Sequence, residues 1–422
     1  MKKLALIVAF CVLSLALTFA KGGSESGTGA PQRLTVNLNF PMTDVTFKNI
    51  QNLAAEFMKA NPGVQIEVTN PPDYENTMKI KMAGNDLPDL FTTHGWSVLR
   101  YSEYLRPLND RPWIGKLNPA IKPVVSGANG KIYVLPMDVD MAGIAFNKDV
   151  LDQAGVDPFA IRTWQDFMAA CARVKASGKI AVAIGGSSGD DRWTVGNFFD
   201  WVAPSFLITN PKKNFQKQLM DGSFEWKNWV PVAQLLVSFR DQGYLNPDYT
   251  QGTWQDVGKS IAAGNAAFGL FGNYVIGEAK KYNPAGHYGF MPVPAASADD
   301  TPSLITGERT AIGVWKDSKA MDLSLKFLDF LATPASINLV AKGNAIPTGL
   351  VGEGYKMDAG DLTVYFEKVA GNRGFPYFDR VFLPSGMWDT MCFTGTGMLA
   401  GALTPEQAAE KMKADYLGLL KK

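Results

Sequence analysis

Histidine is almost missing from this chain: His94 and His287 are the only two among 422 residues. Neither has a histidine one helical turn away or a cysteine pair beside it, so the donor spacings of zinc sites are lacking. No adjacent tyrosine pair offers an iron site, and the two histidines stand in no motif that would serve a serine or cysteine nucleophile. No metal or cofactor is therefore expected. An excess of either charge is also missing, with 41 basic against 40 acidic side chains. That balance argues against a nucleic-acid binder and against a polybasic membrane-surface protein. Cysteine is scarce too: three residues, of which Cys11 lies in the apolar leader. Cys171 and Cys392 could pair in an oxidising compartment. Cys171, however, shares a predicted apolar helix face with Phe167 and Val174, so two buried thiols are expected.

The apolar run Leu4–Leu17 is short for a membrane span and no stop-transfer pattern follows it. Lys2 and Lys3 before it and Thr18-Phe19-Ala20 after it make residues 1–20 a secretory signal, with cleavage expected after Ala20. Residues 21–32 form a Gly/Ser-rich tether that cannot build a core. What remains is too long for one ordinary hydrophobic core, and two domains are expected. Ten tryptophans exceed what packing alone requires and suit a site for flat, CH-rich ligands.

Local patterns give an α/β order. Arg33 to Phe40 alternates as a first strand, and Phe47, Ile50, Leu53 and Phe57 mark a helix that stops at Asn61-Pro62-Gly63. A strand over 64–68, a helix near 74–83 and a strand opening at Pro88 complete a βαβαβ unit with a parallel sheet. Thr163 and Asp166 form a capping-box pair at the start of a helix reaching about Gly178. The Gly-rich loop at 185–191 has neither the P-loop nor the dinucleotide-binding spacing, and reads as an exposed loop.

The chain pivots on Gly130-Lys131-Ile132-Tyr133-Val134-Leu135-Pro136, a polar hinge holding Asp138 and Asp140, and Gly143-Ile144-Ala145-Phe146-Asn147-Lys148. In extended backbone both carboxylates point the same way. This stretch resembles the first inter-lobe crossing of the sugar-binding solute-binding proteins of bacterial ABC importers, the maltose-binding-protein-like family. The resemblance continues through Asn61-Pro62-Gly63-Val64, Thr163-Trp164-Gln165-Asp166-Phe167, Gly264 to Gly272, Met291-Pro292-Val293-Pro294 and Thr404-Pro405-Glu406-Gln407. It covers nearly all of residues 31–422. It departs at Lys21, where the lipid-anchored members have cysteine, and at Asn273-Tyr274, where tryptophan is usual.

The resemblance implies a two-lobed α/β protein with three crossings. The first lobe is expected over 33–142 and 308–341, and the second over 143–307 and 342–422. It implies closure on a carbohydrate by hinge bending, a membrane permease as partner, a monomer, and no covalent chemistry. Other classes compatible with the residues are an exported carbohydrate-active hydrolase and a ligand-sensing receptor subunit. A sugar needs aromatic platforms for its CH faces and polar partners for its hydroxyls, since each unpaired buried partner costs roughly 1–3 kcal/mol. The candidates at strand ends and crossings are Asn39, Phe40, His94, Trp96, Asp138, Asp140, Trp193, Trp254, Asn273, Tyr274, Glu308 and Arg309.

Overall fold

The computed structural model describes residues 31–186, 192–270 and 272–420. The leader, nearly all of the tether and residues 187–191 of the Gly-rich loop lie outside the described residues. The first unit folds as the periodicity predicts. Strand β1 (Gln32–Asn37) buries Leu34 and Val36, and so takes Gln32 out of the tether. The helix Val45–Ala60 follows, with Asp44 accepting from the Thr46 amide at 2.7 Å as its N-cap. Its buried residues include Phe47, Ile50, Leu53 and Phe57, one face at helical spacing. Strand β2 (Val64–Thr69) and strand β3 (Leu90–Thr92) pair parallel with β1 on either side, with the helix Tyr74–Ala83 between them in sequence.

Strands β4 (Val134–Pro136), β5 (Asp140–Ala142) and β6 (Ile144–Asn147) come next, followed by β7 (Ile180–Ala183), β8 (Ala266–Gly269) and β9 (Tyr288–Met291). The last three are β10 (Ser303–Gly307), β11 (Ala311–Val314) and β12 (Arg373–Pro376). They form three sheets, ordered β2-β1-β3-β11-β4, β7-β8-β6-β9 and β12-β10-β5. The first sheet packs its own core of Leu34, Phe47, Phe91 and Phe327 among others. The four-stranded sheet is covered on both faces. On β6, Ile144 and Phe146 enter one cluster and Ala145 the other, as the two-residue period of a strand requires. The molecule is thus a two-lobed α/β protein.

Packing refines the expected lobe boundaries. β5 zips antiparallel onto β10, and Ala142 lies in the second lobe's core, so the first change of lobe falls at Asp138–Asp140, not after 142. The second falls between β10 and β11, at Glu308–Thr310. The third comes later than residue 342. Leu350 belongs to the first core, the Val351 amide donates to the Lys116 carbonyl at 2.7 Å, and the Tyr355 hydroxyl donates to the Ala332 carbonyl at 2.8 Å. Only at Ala359 and Leu362 does the chain join the second lobe's core for good, although Ile346 dips into it. The reason is a return strip, 347–351, that bonds to the first crossing and to Lys116 before leaving. Cys171 and Cys392 are both buried and unpaired, and burial pushes the Cys392 thiol up to about 12.

Candidate ligand-binding site

The crossings are tied together by one carboxylate. Asp138 is fully buried; its Oδ1 accepts from the Thr310 amide at 2.8 Å, and its Oδ2 from the Thr310 hydroxyl at 2.8 Å and from Asn344 Nδ2 at 2.7 Å. Burial raises its pKa against the opposing pull of Arg309 and these donors. Asp138 is therefore spent on the hinge. Arg309 does not pair with its neighbour Glu308. It donates to Asn344 Oδ1 at 3.1 Å and lies over the Phe40 ring at 5.3 Å. Beside it, Asn39 donates its amide to Thr92 Oγ1, while its own Oδ1 is buried without a protein donor.

The first lobe contributes a shelf at the end of β3. His94 takes a left-handed backbone (φ 48°) and places Nδ1 2.8 Å from Glu75 Oε1; Arg100 completes the cluster by pairing with Glu75. Burial opposes ionisation of Glu75, yet the His94 and Arg100 contacts bring its pKa below the usual value. The Trp96 ring carries the Arg100 guanidinium 4.0 Å from its centroid. Glu308 is buried behind the shelf, accepting from the Thr93 hydroxyl at 2.5 Å and from the Ser97 amide and hydroxyl. Burial raises the Glu308 pKa, and Ser97 and Thr93 moderate it.

The second lobe contributes the aromatic wall. Trp193 begins the helix Trp193–Leu207, Trp254 begins the helix Trp254–Ala262 and Tyr274 begins the helix Tyr274–Tyr282. Trp193 stands 6.0 Å from Trp254 and 6.1 Å from Tyr274, centroid to centroid, so the three predicted platforms do converge. Asn197 donates to the Tyr274 hydroxyl. Asn273 plays a different part: its Nδ2 donates to the Met141 carbonyl at 2.7 Å and its Oδ1 accepts from the Gly143 amide at 3.2 Å, which pins the wall to the first crossing.

A group of residues absent from the expected set joins these. The Tyr377 hydroxyl donates to Asp140, whose pKa burial raises while Tyr377 and Arg309 oppose. Arg380, on the helix Phe378–Phe382, lies 4.2 Å from the Tyr377 ring centroid and reaches across the cleft to within 5.2 Å of Trp96. Gly95 permits this reach, since a Cβ there would collide with the guanidinium. Asp200 accepts from the Asp379 amide at 2.8 Å, and its other oxygen and Asp379 Oδ1 are buried with no protein donor. Burial first, and for Asp200 the nearby Asp379 charge second, raise the pKa of both carboxyls. One signal for Asp200 was present: it is the single charged residue in the mostly apolar helix Trp193–Leu207. Arg380 had only its place in the aromatic string Tyr377-Phe378-Asp379-Arg380.

The assembled cleft offers aromatic faces from one lobe and buried acceptors with a guanidinium between the lobes, the chemistry of hydroxyl-rich ligands. Residues 185–189 spell Gly-x-Ser-x-Gly, and Ser187, Ser188 and Gly189 lie outside the described residues.

Known proteins agree with this geometry. The profile of the family described as bacterial extracellular solute-binding proteins matches residues 43–337. The melibiose/raffinose/stachyose-binding protein MelE of Bacillus subtilis is 31% identical over 407 residues, spanning 96% of this chain and 94% of that one. A crystal structure of the B. subtilis binding protein MsmE, in an open conformation, superposes with a TM-score of 0.86 at 31% identity, covering 93% of this chain and 98% of that one. A Bacillus licheniformis sugar transporter solved in complex with stachyose gives a TM-score of 0.81 at 33% identity, covering 92% of this chain and 100% of that one. The two lobes, the cleft between them and this breadth of likeness have one meaning: the chain belongs to the bacterial extracellular solute-binding proteins.

Proposed function

We propose that this protein captures a short oligosaccharide of the melibiose–raffinose–stachyose kind between its lobes and hands it to the membrane permease of an ABC importer. The observation that carries the reading is the convergence of Trp193, Trp254 and Tyr274 opposite the polar shelf of the first lobe. Such sugars share an α-galactosyl unit with an apolar CH face and a rim of hydroxyls, which that wall and shelf complement. The ligands named for the relatives at 31% and 33% identity support the same class. Contacts made by both lobes exist only when the cleft is shut, so ligand shifts the equilibrium towards closure. Binding is the whole activity in this reading, with no bond made or broken. The protein works outside the cytoplasm as a soluble monomer, released by cleavage after Ala20, and Lys21 at the expected anchor position leaves no lipidated cysteine there.

Thermal unfolding against melibiose, raffinose, stachyose, maltose and short peptides tests this. A ligand at about a hundred times its dissociation constant adds about 2.7 kcal/mol and raises the midpoint. The expected result is a shift with the α-galactosides and their recovery unchanged after long incubation. A shift followed by cleavage of the sugar would make the protein a hydrolase, and shifts with peptides alone would refute the carbohydrate reading.

A further inference from the structure

We propose that Arg380 is a ligand-contacting residue of the cleft, which reads two adjacent hydroxyls of a neutral sugar ring with its guanidinium fork. The inference rests on the cleft being the ligand site, but not on the ligand being an α-galactoside. Three observations carry it.

The first is an unspent donor set. Arg380 is largely buried, with 16% of its side chain exposed, yet it makes no side-chain hydrogen bond to a described residue. Its nearest carboxylate oxygen, Asp379 Oδ1, is 3.9 Å from Nε, too far for a hydrogen bond. A guanidinium has five N–H donors in a rigid planar fork, and those of Arg380 are left to solvent. A ligand that supplies acceptors can take the place of that solvent.

The second is position. Arg380 stands on the second lobe and its guanidinium touches the Trp96 shelf of the first, through the gap that Gly95 leaves. A ligand held there meets both lobes, the condition for closing them. Beside the fork stands Asp140, which is only partly buried, so a sugar ring in this place also finds an acceptor.

The third is charge. Asp379 Oδ1 stands 3.9 Å from Nε, so the guanidinium already has a carboxyl group beside it. A site compensated in this way gains little from an anionic ligand and selects a neutral one, through geometry instead of attraction.

Titration calorimetry on the purified protein provides the test, with raffinose, maltotriose and sn-glycerol 3-phosphate as probes. Arg380→Ala should weaken raffinose binding roughly 10- to 100-fold, the loss of one charged pair of hydrogen bonds. Arg380→Lys, which keeps the charge and loses the fork, should recover only part of it. The ligand-free melting temperature should stay near that of the wild type. Should Arg380→Ala fail to fold, Arg380→Lys decides alone. Wild-type affinity in either variant overturns the proposal, and so does tighter binding of sn-glycerol 3-phosphate than of any neutral sugar. If wild type ignores raffinose but binds maltotriose with the same dependence on Arg380, the α-galactoside reading fails and this inference stands.

Discussion

Asp138 illustrates how far a residue type carries an argument. Its alternation with Asp140 was legible, and Arg309 does act on both carboxylates. What the sequence could not hold is that Thr310 and Asn344, far along the chain, saturate Asp138. Asp138→Ala should lower stability by roughly 2–4 kcal/mol in denaturant unfolding, because it strands three buried donors. Asp138→Asn should cost less, since its carbonyl still receives the Thr310 amide; equal losses would mean that the charge, not the acceptors, holds the hinge. Asp200 allows a second test. Burial first, and the Asp379 charge second, push its carboxyl well above the ordinary range. A carboxyl raised in this way binds its proton more tightly folded than unfolded, so stability is greatest below the raised value and falls as pH climbs through it. Asp200→Asn imitates the protonated acid. Its melting temperature should therefore change less than that of the wild type as pH rises from the ordinary carboxylate range. Parallel curves would show that no such proton is held.

At the scale of elements, the chain spells Thr-Trp-Gln-Asp twice, at 163–166 and at 253–256, and both copies form a full capping box. Local structure was readable in that string because the threonine hydroxyl and the aspartate carboxylate satisfy the first free amides of a helix wherever it lies. The fate of the tryptophan was not readable. Trp164 is buried and donates from Nε1 to Ser205 Oγ at 2.9 Å, whereas Trp254 is half-buried beside Trp193. Only the packing of distant elements separates the two. Removing either cap, Thr163→Ala or Thr253→Ala, should cost about 1 kcal/mol of stability. The first should leave sugar affinity unchanged, while the second should also weaken it by loosening the start of the helix that carries Trp254. Equal affinities in the two variants would remove Trp254 from the site.

At the scale of the molecule, the two lobes and the chain's repeated crossing between them were legible from ordered motifs, since the first two crossings are short strands with their own local pattern. The third crossing was misplaced because residues 347–351 stay with the first lobe through backbone bonds to Met137, Val139 and Lys116, which leave no mark in side-chain periodicity. Closure is a property of this scale. Small-angle X-ray scattering should record a smaller radius of gyration with saturating raffinose than without it. An unchanged radius together with tight binding would mean that the lobes are already shut before the ligand arrives.

The place of β11 bears on how the molecule is born. It lies between β3 and β4, bonded to both, yet it is made long after either. Until Ala311 to Val314 have been synthesised, the first lobe has the three strands β2-β1-β3 and the lone strand β4, with no strand to join them. Its open edges are the surfaces most prone to sticking to other chains, so they need a chaperone's cover until then. The first sheet therefore cannot close until roughly three-quarters of the polypeptide has been made.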